Sequence, residues 1–182
     1  MPEICSEGWL KKAERICSPN AGDRPDEGDI SLLVIHNISL PPGQFGGGYI
    51  QQFFTNTLPC EAHPYFSEIG HLQVSAHLLI ERSGHMIQFV PFTKRAWHAG
   101  VSQFEGRENC NDFSIGIELE GTDDSPFTPQ QYAALADVTK LLMRYYPQIT
   151  PERIAGHSDI APGRKTDPGP AFDWALFRQL LG

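Results

Sequence analysis

The alternation of short aliphatic segments with helical segments constrains the fold of this chain most. SLLVIHN at 31–37 is the pattern of a buried strand, and FSIGIELEG at 113–121 alternates with Ile115, Ile117 and Leu119 on one face. VSAHLLIE at 74–81 also alternates, and the turn RSGH then leads into MIQFVPF, which predicts a strand at 74–81 and a β-hairpin. Interleaved strands and helices with one hairpin predict a mixed sheet.

Helix signals lie between these strands. In TPQQYAALADVTKLLMRYYP at 128–147, Thr128 can cap, Pro129 suits the first turn and Gln131 completes a capping box. A short helix is expected at about 48–56, and a last helix begins at Asp173. The predicted fold class is α/β, a single domain over residues 1–182 with a mixed central β-sheet flanked by helices on both faces.

Composition excludes several classes of partner. Fourteen Lys and Arg against 22 Asp and Glu give a net charge of −8, so we expect neither nucleic acid nor an anionic membrane as a partner. The first residues contain no apolar signal core, and the longest aliphatic run is LLVI, which together favour a cytoplasmic protein. The four cysteines form no CxxC pair and are expected to be free thiols.

Two histidines end predicted strands. His36 follows an aliphatic run, and His157 precedes a loop rich in Pro and Gly that carries Asp159, Lys165 and Asp167. Two histidines and one carboxylate are the ligands of an open, three-ligand zinc site. The spacing leaves Asp159 and Asp167 as alternative ligands. The competing interpretation is that the aspartate is an ordinary turn residue and that the two histidines are structural.

The strand at 113–121 places two carboxylates on the face opposite its aliphatic residues. Glu118 lies beside Gly116, which we expect to leave space for a ligand, and Glu120 is the alternative functional carboxylate. A solvent-exposed face would explain both equally well.

Read together, several segments resemble the zinc amidases of the peptidoglycan-recognition and phage-lysozyme superfamily, the type 2 amidases. These segments are LLVIHNISLPPGQFGG, HPYF, VSAHLLIERSG, RAWHAGVS, NDFSIGIELEGTD, TPQQYAAL and GHSDIAPGRKTDPGPAFDW. Within that superfamily the resemblance is greatest to the cytosolic amidases that act on 1,6-anhydro-N-acetylmuramoyl-L-alanine peptides. It extends from about residue 8 to residue 178.

The resemblance implies a role for particular residues. His36, His157 and Asp167 would bind one zinc ion per chain, which selects Asp167 over Asp159. Glu118 and Lys165 match the catalytic carboxylate and lysine. Substrate-binding positions would be Asn37, Trp97 and His98. Some relatives carry arginines at the positions of Gln73 and Asn109 to hold the carboxylates of the peptide, so the nearby Arg107 is a further candidate for substrate binding.

The implied reaction is zinc-dependent hydrolysis of the amide between the lactyl group of (1,6-anhydro-)N-acetylmuramic acid and L-alanine, in cytosolic peptidoglycan recycling. We expect a monomer that acts on small soluble muropeptides. The alternatives are an amidase of intact murein, or a non-catalytic muropeptide-binding or regulatory protein.

Overall fold

The fold is built on a six-stranded mixed sheet. In the computed structural model, which describes residues 3–182, the strand order is β1-β5-β4-β9-β3-β10. All neighbours are parallel except β4 and β5, which form the predicted antiparallel hairpin. The strands are β1 Glu14–Arg15, β2 Ala21–Gly22, β3 Leu32–Ile38, β4 Leu78–Ile80, β5 Met86–Gln88, β6 Arg95–Ala96, β7 Gln103–Phe104, β8 Arg107–Glu108, β9 Ser114–Glu120 and β10 Ile154–Gly156. Strands β2 and β6 pair with each other, as do β7 and β8.

Helices cover both faces of the sheet, which confirms the predicted fold class. The helices are α1 Tyr49–Phe54, α2 Pro64–Ile69, α3 Pro129–Tyr145, α4 His157–Ile160 and α5 Trp174–Leu181. Helices α3 and α5 pack with Leu33, Ile35 and the aliphatic face of β9 in one core. Helices α1 and α2 pack in a second core that includes Leu79 and Ile87. Because strand side chains alternate, β4 and β5 contribute side chains to both cores.

Helix α3 begins as the sequence predicts. The Thr128 side chain accepts a hydrogen bond from the Gln131 N–H, and the Gln131 side chain accepts one from the Thr128 N–H. The Gln131 amide also donates to the backbone carbonyls of Ile80 and Glu120. The cap therefore fixes the start of α3 against β4 and β9.

The predicted strand at 74–81 is too long. Only Leu78–Ile80 pairs as a strand, because the chain before it turns away from the sheet: the Ser75 N–H donates to the Trp97 carbonyl. Residues on both alternating faces, from Ser75 to Ile80, are buried. The polar and apolar alternation there does not mark a solvent-facing side.

The parallel arrangement gathers the functional candidates at one edge of the sheet. His36 near the end of β3 lies beside Glu118 of β9, and Gly156 at the end of β10 lies beside Ile35. The carboxyl ends of these three parallel strands meet there, which is where parallel sheets commonly bind ligands. Among residues 3–182, no helix is long and apolar enough to cross a membrane.

Candidate metal centre

Three side chains converge at this edge of the sheet. His36 Nδ1 lies 3.0 Å from His157 Nδ1 and 3.0 Å from Asp167 Oδ2, and His157 Nδ1 lies 3.1 Å from the same carboxylate oxygen. Ligands about 2.0–2.1 Å from a tetrahedral zinc ion stand roughly 3.3 Å apart. In the part of the chain that the structure describes, no other His, Cys, Asp or Glu group has the spacing of a metal site.

Each donor is placed by a different element. His36 points to the face opposite Leu33 and Ile35, and His157 is the first residue of α4, directly after β10, not the start of an irregular loop. Asp167 lies in the loop after α4, where its backbone carbonyl accepts a hydrogen bond from the Ser158 N–H. Asp159, the alternative carboxylate, instead accepts a hydrogen bond from the Gly156 N–H. The structure thus brings Asp167, and not Asp159, to the two histidines.

The protonation states suit a metal site. Burial lowers the pKa of His36 from 6.5 to about 4, so its ring is neutral at pH 7. Burial alone would raise the pKa of Asp167, but hydrogen bonds with His157 and His36 outweigh it and hold that pKa below its ordinary value. Neutral imidazoles and an ionised carboxylate are the forms that bind zinc.

The second ring nitrogen of each histidine also has a partner. His157 Nε2 donates to the Ala99 carbonyl at 3.0 Å, and His36 Nε2 lies 2.9 Å from His98 Nδ1. Histidines that bind metals commonly have their other nitrogen held in this way. The donor set and its supports fit zinc.

Glu118 faces the same space. Its Oε2 is buried and has no hydrogen-bond partner, and the side chain is 9% exposed. Burial raises the pKa of Glu118 well above its ordinary value, the Asp167 charge raises it further, and Lys165 opposes both. The other candidate, Glu120, is fully engaged, because its two oxygens accept the N–H groups of Gly46 and Arg82.

A cavity of about 370 Å³ opens over these groups. The predicted residues His36, Asn37, Trp97, His98, Glu118, His157, Lys165 and Asp167 all line it. Its far wall is apolar and was not predicted; Leu40, Phe53, Phe54, Tyr65, Ile69, Leu72 and Val74 form it. The aromatic pairs in the expected 48–56 helix and in HPYF were the available signal for this wall. The cavity combines a polar end with an apolar end.

Two of the sequence expectations about ligand space differ from the structure. A Cβ at Gly116 would lie 2.4 Å from the His98 ring, so that space holds His98 and not a ligand. Asn37 lines the cavity, but both of its amide hydrogens are used, on the Asp123 carboxylate and the Pro168 carbonyl, so Asn37 also holds the Asp167 loop. The Arg107 guanidinium pairs with Asp29 and stacks on Phe113, and Arg107 does not line the cavity.

The remaining histidines are structural or exposed, and the four cysteines are free thiols, as the sequence predicts for the cysteines. His77 is buried, accepts the Gly116 N–H and contacts the buried Arg24 side chain. His63 Nδ1 accepts the Tyr65 N–H at the start of α2, whereas His71 and His85 are exposed.

Comparison with known proteins gives a consistent result. The family model for N-acetylmuramoyl-L-alanine amidase matches residues 26–170. The chain is 60% identical over 178 residues to the 1,6-anhydro-N-acetylmuramyl-L-alanine amidase AmpD of Escherichia coli K12, covering 98% of this chain and 97% of that protein. It superposes on a crystal structure of a selenomethionine AmpD derivative with a TM-score of 0.95, at 59% identity and with 98% and 99% of the two chains covered.

A more distant solved structure contains a substrate. The Escherichia coli amidase AmiD, in complex with anhydro-N-acetylmuramic acid-L-Ala-D-γ-Glu-L-Lys, aligns with a TM-score of 0.61 at 30% identity. The alignment covers 97% of this chain and 65% of that one.

Proposed function

This chain belongs to the N-acetylmuramoyl-L-alanine amidase family, a family of hydrolases, and we propose that it is a zinc-dependent amidase of soluble anhydromuropeptides. It cleaves the amide between the lactyl group of 1,6-anhydro-N-acetylmuramic acid and L-alanine. The observation that supports this best is the convergence of His36, His157 and Asp167 opposite Glu118.

Zinc is the proposed cofactor, one ion per chain, held by His36, His157 and Asp167. When bound in a site with three protein ligands, zinc supplies Lewis acidity and makes water a nucleophile near neutral pH. Two neutral imidazoles and one carboxylate leave a net charge near +1, which preserves that acidity.

Glu118 is the proposed general base and acid. Its unpartnered oxygen can accept a proton from the attacking water and deliver it to the departing amine. A carboxyl whose pKa is raised toward the working pH performs both transfers, because it gives up and takes the proton with little cost in either direction.

Lys165 and the cavity walls complete the proposed site. The Lys165 ammonium lines the cavity together with Glu118 and would stabilise the negative charge that develops on the carbonyl oxygen. Trp97 and the apolar wall from α1 and α2 offer a surface for the sugar and lactyl groups.

The proposed substrate is soluble and the proposed location is the cytosol, in peptidoglycan recycling. AmpD relatives are named for the 1,6-anhydro sugar, and the AmiD complex contains an anhydromuramyl tripeptide. A net charge of −8 gives this chain no electrostatic attraction to acidic murein. We propose that the protein works as a monomer with no nucleic-acid or membrane partner.

The test compares two sugars that carry one identical peptide. We expect kcat/KM for the 1,6-anhydro sugar to exceed that for the reducing sugar by tenfold or more, which requires about 1.4 kcal/mol of differential transition-state binding. Mass analysis should show free peptide and an intact anhydro sugar. Equal values, or faster release of peptides from intact sacculi, would instead assign the protein to the amidases of intact murein.

A further inference from the structure

His98 lies behind the metal centre and contacts a ligand from the side away from the metal. Its Nδ1 is 2.9 Å from His36 Nε2, and its Nε2 is 3.0 Å from the Ser114 hydroxyl. His98 is 9% exposed and Ser114 is fully buried. The three side chains form a continuous row that runs from β9 to the metal donors.

The two ligand histidines are held in chemically different ways. His157 Nε2 faces the Ala99 carbonyl, which can only accept, so the proton of that ring lies on Nε2 and the lone pair on Nδ1. His36 Nε2 faces another imidazole, which can donate or accept. The contact with His98 alone therefore does not determine the tautomer of His36.

The Ser114 hydroxyl beyond His98 can also donate or accept, so the row has two possible directions. If Ser114 accepts from His98 Nε2, then His98 Nδ1 carries a lone pair and accepts from His36 Nε2. His36 Nδ1 is then left unprotonated toward His157 and Asp167. The opposite direction would place the proton on His36 Nδ1, where it would block metal binding.

We propose that His98 is a positioning residue, which together with Ser114 fixes the orientation of His36 and the tautomer in which it can bind zinc. The proposal rests on the proposed zinc site. It assigns His98 to the support of the metal ligand, and not to substrate binding, the role that the sequence resemblance implied.

The surroundings of His98 are built for this placement. Gly116 leaves the room that the ring occupies, since a Cβ there would lie 2.4 Å from the ring. The Asn111 side chain accepts the N–H groups of His98 and Ala99, and it thereby places the supports of both ligand histidines. The buried Arg24 guanidinium donates to the Ser114 carbonyl and fixes the residue that ends the row.

The test measures zinc affinity by competition with a chromophoric chelator at pH 7. Loss of such a support typically weakens metal affinity 10- to 100-fold, and we expect that loss in His98→Leu. His98→Asn keeps an acceptor oxygen near the position of Nδ1 and should recover most of the affinity. Ser114→Ala should weaken binding less than His98→Leu, because His36 keeps its contact with His98 and only the hydrogen bond between His98 and Ser114 is lost.

A spectroscopic readout separates the proposed role from a packing defect. In zinc-loaded, nitrogen-15-labelled protein, we expect slowly exchanging N–H protons on Nε2 of both His36 and His98. His98→Leu should move the His36 Nε2–H resonance upfield, because its acceptor is gone. A proton found on His98 Nδ1 would overturn the proposal.

His77 provides the matched control for packing, since it is a buried histidine whose ring packs against the His98 ring and contacts Arg24 and Gly116, but it makes no hydrogen bond to His36, His157 or Asp167. We expect His77→Asn to keep zinc affinity within twofold of wild type. An equal loss in His77→Asn and His98→Leu would mean a general packing effect and would overturn the proposal. If the wild-type protein binds zinc and a folded His98→Leu protein binds it with the same affinity, this proposal alone is overturned. If the wild-type protein binds no zinc, the proposed metal site is overturned as well.

Discussion

At the scale of single residues, hydrogen-bond partners separate Glu118 from Glu120. They are two residues apart on β9 and point to the same face, yet Glu120 accepts two backbone N–H groups and Glu118 Oε2 has no partner. Because both oxygens of Glu120 accept backbone N–H groups, Glu120 has a structural role. An unsatisfied buried oxygen beside a cavity is available to a reacting water.

We therefore expect Glu118→Gln to lower kcat about 10²- to 10⁴-fold while zinc content and folding are unchanged, because the amide cannot accept the proton. Steady-state rates on an anhydromuramyl peptide, normalised to bound zinc, would measure this. Glu120→Gln is the matched control and should retain most of its activity per folded molecule. Near-normal turnover in Glu118→Gln, together with an inactive Glu120→Gln, would show that Glu120 is the catalytic carboxylate.

His77 gives a pH dependence of stability. Burial lowers its pKa from 6.5 to about 3, so between these values the unfolded chain binds a proton that the folded chain does not. The free energy of unfolding should fall as pH falls through that range, by up to about 1.4 kcal/mol per pH unit from this group. Urea unfolding of metal-free protein at pH 4–6 should show a shallower pH slope in His77→Asn than in wild type. Identical slopes would contradict the assignment.

At the scale of elements, the start of α3 couples a helix to the sheet. Thr128 caps the helix and its hydroxyl also donates to the Arg82 carbonyl beyond β4, while Gln131 reaches carbonyls of β4 and β9. The cap is thus a tertiary contact as well as a local one.

Thr128→Ala should lower the free energy of unfolding by about 1 kcal/mol, within the usual 0.5–2 kcal/mol for a lost N-cap. Urea unfolding of zinc-loaded protein would measure it, with Gln130→Ala as the control, since that exposed first-turn residue has no part in the cap. We expect the control to lie within about 0.5 kcal/mol of wild type. A Thr128→Ala protein as stable as the control would mean that the capping box contributes nothing.

At the scale of the whole molecule, the metal centre joins distant parts of the chain. His36 and His157 are 121 positions apart and His36 and Asp167 are 131 apart, so a bound ion would tie β3 to α4 and to the loop after it. A ligand that binds only the folded state stabilises it in proportion to the logarithm of its concentration.

Removing zinc with a chelator should lower Tm, and excess zinc should restore it. At a thousandfold excess over Kd, zinc should raise the free energy of unfolding by about 4 kcal/mol. Calorimetry of wild type and of His36→Ala would test this. The variant should show no response to zinc. A wild-type Tm that is the same with and without chelator would contradict a metal that links these segments.

The sequence by itself determined the elements whose patterns are local. Alternation, turn residues and capping chemistry act within a few residues of the chain. They predict the β4–β5 hairpin, the limits and cap of α3, strand β9, and the mixed sheet with helices on both faces. The sequence also named His36 and His157 as candidates, because polar residues at the end of aliphatic strands are unusual, and Glu118, because it lies beside Gly116 on the face opposite the aliphatic residues of its strand.

Only the tertiary structure decided what those residues contact. Spacing could not choose between Asp159 and Asp167 or between Glu118 and Glu120, and it assigned the space at Gly116 to a ligand where the His98 ring lies. The observed strand is shorter than the one expected at 74–81, because Ser75 pairs with Trp97 instead of with the sheet. In each case the deciding partner lies far away in the chain, and hydrogen bonds and packing of that kind are set by the register of strands and the path of loops, which local patterns do not contain.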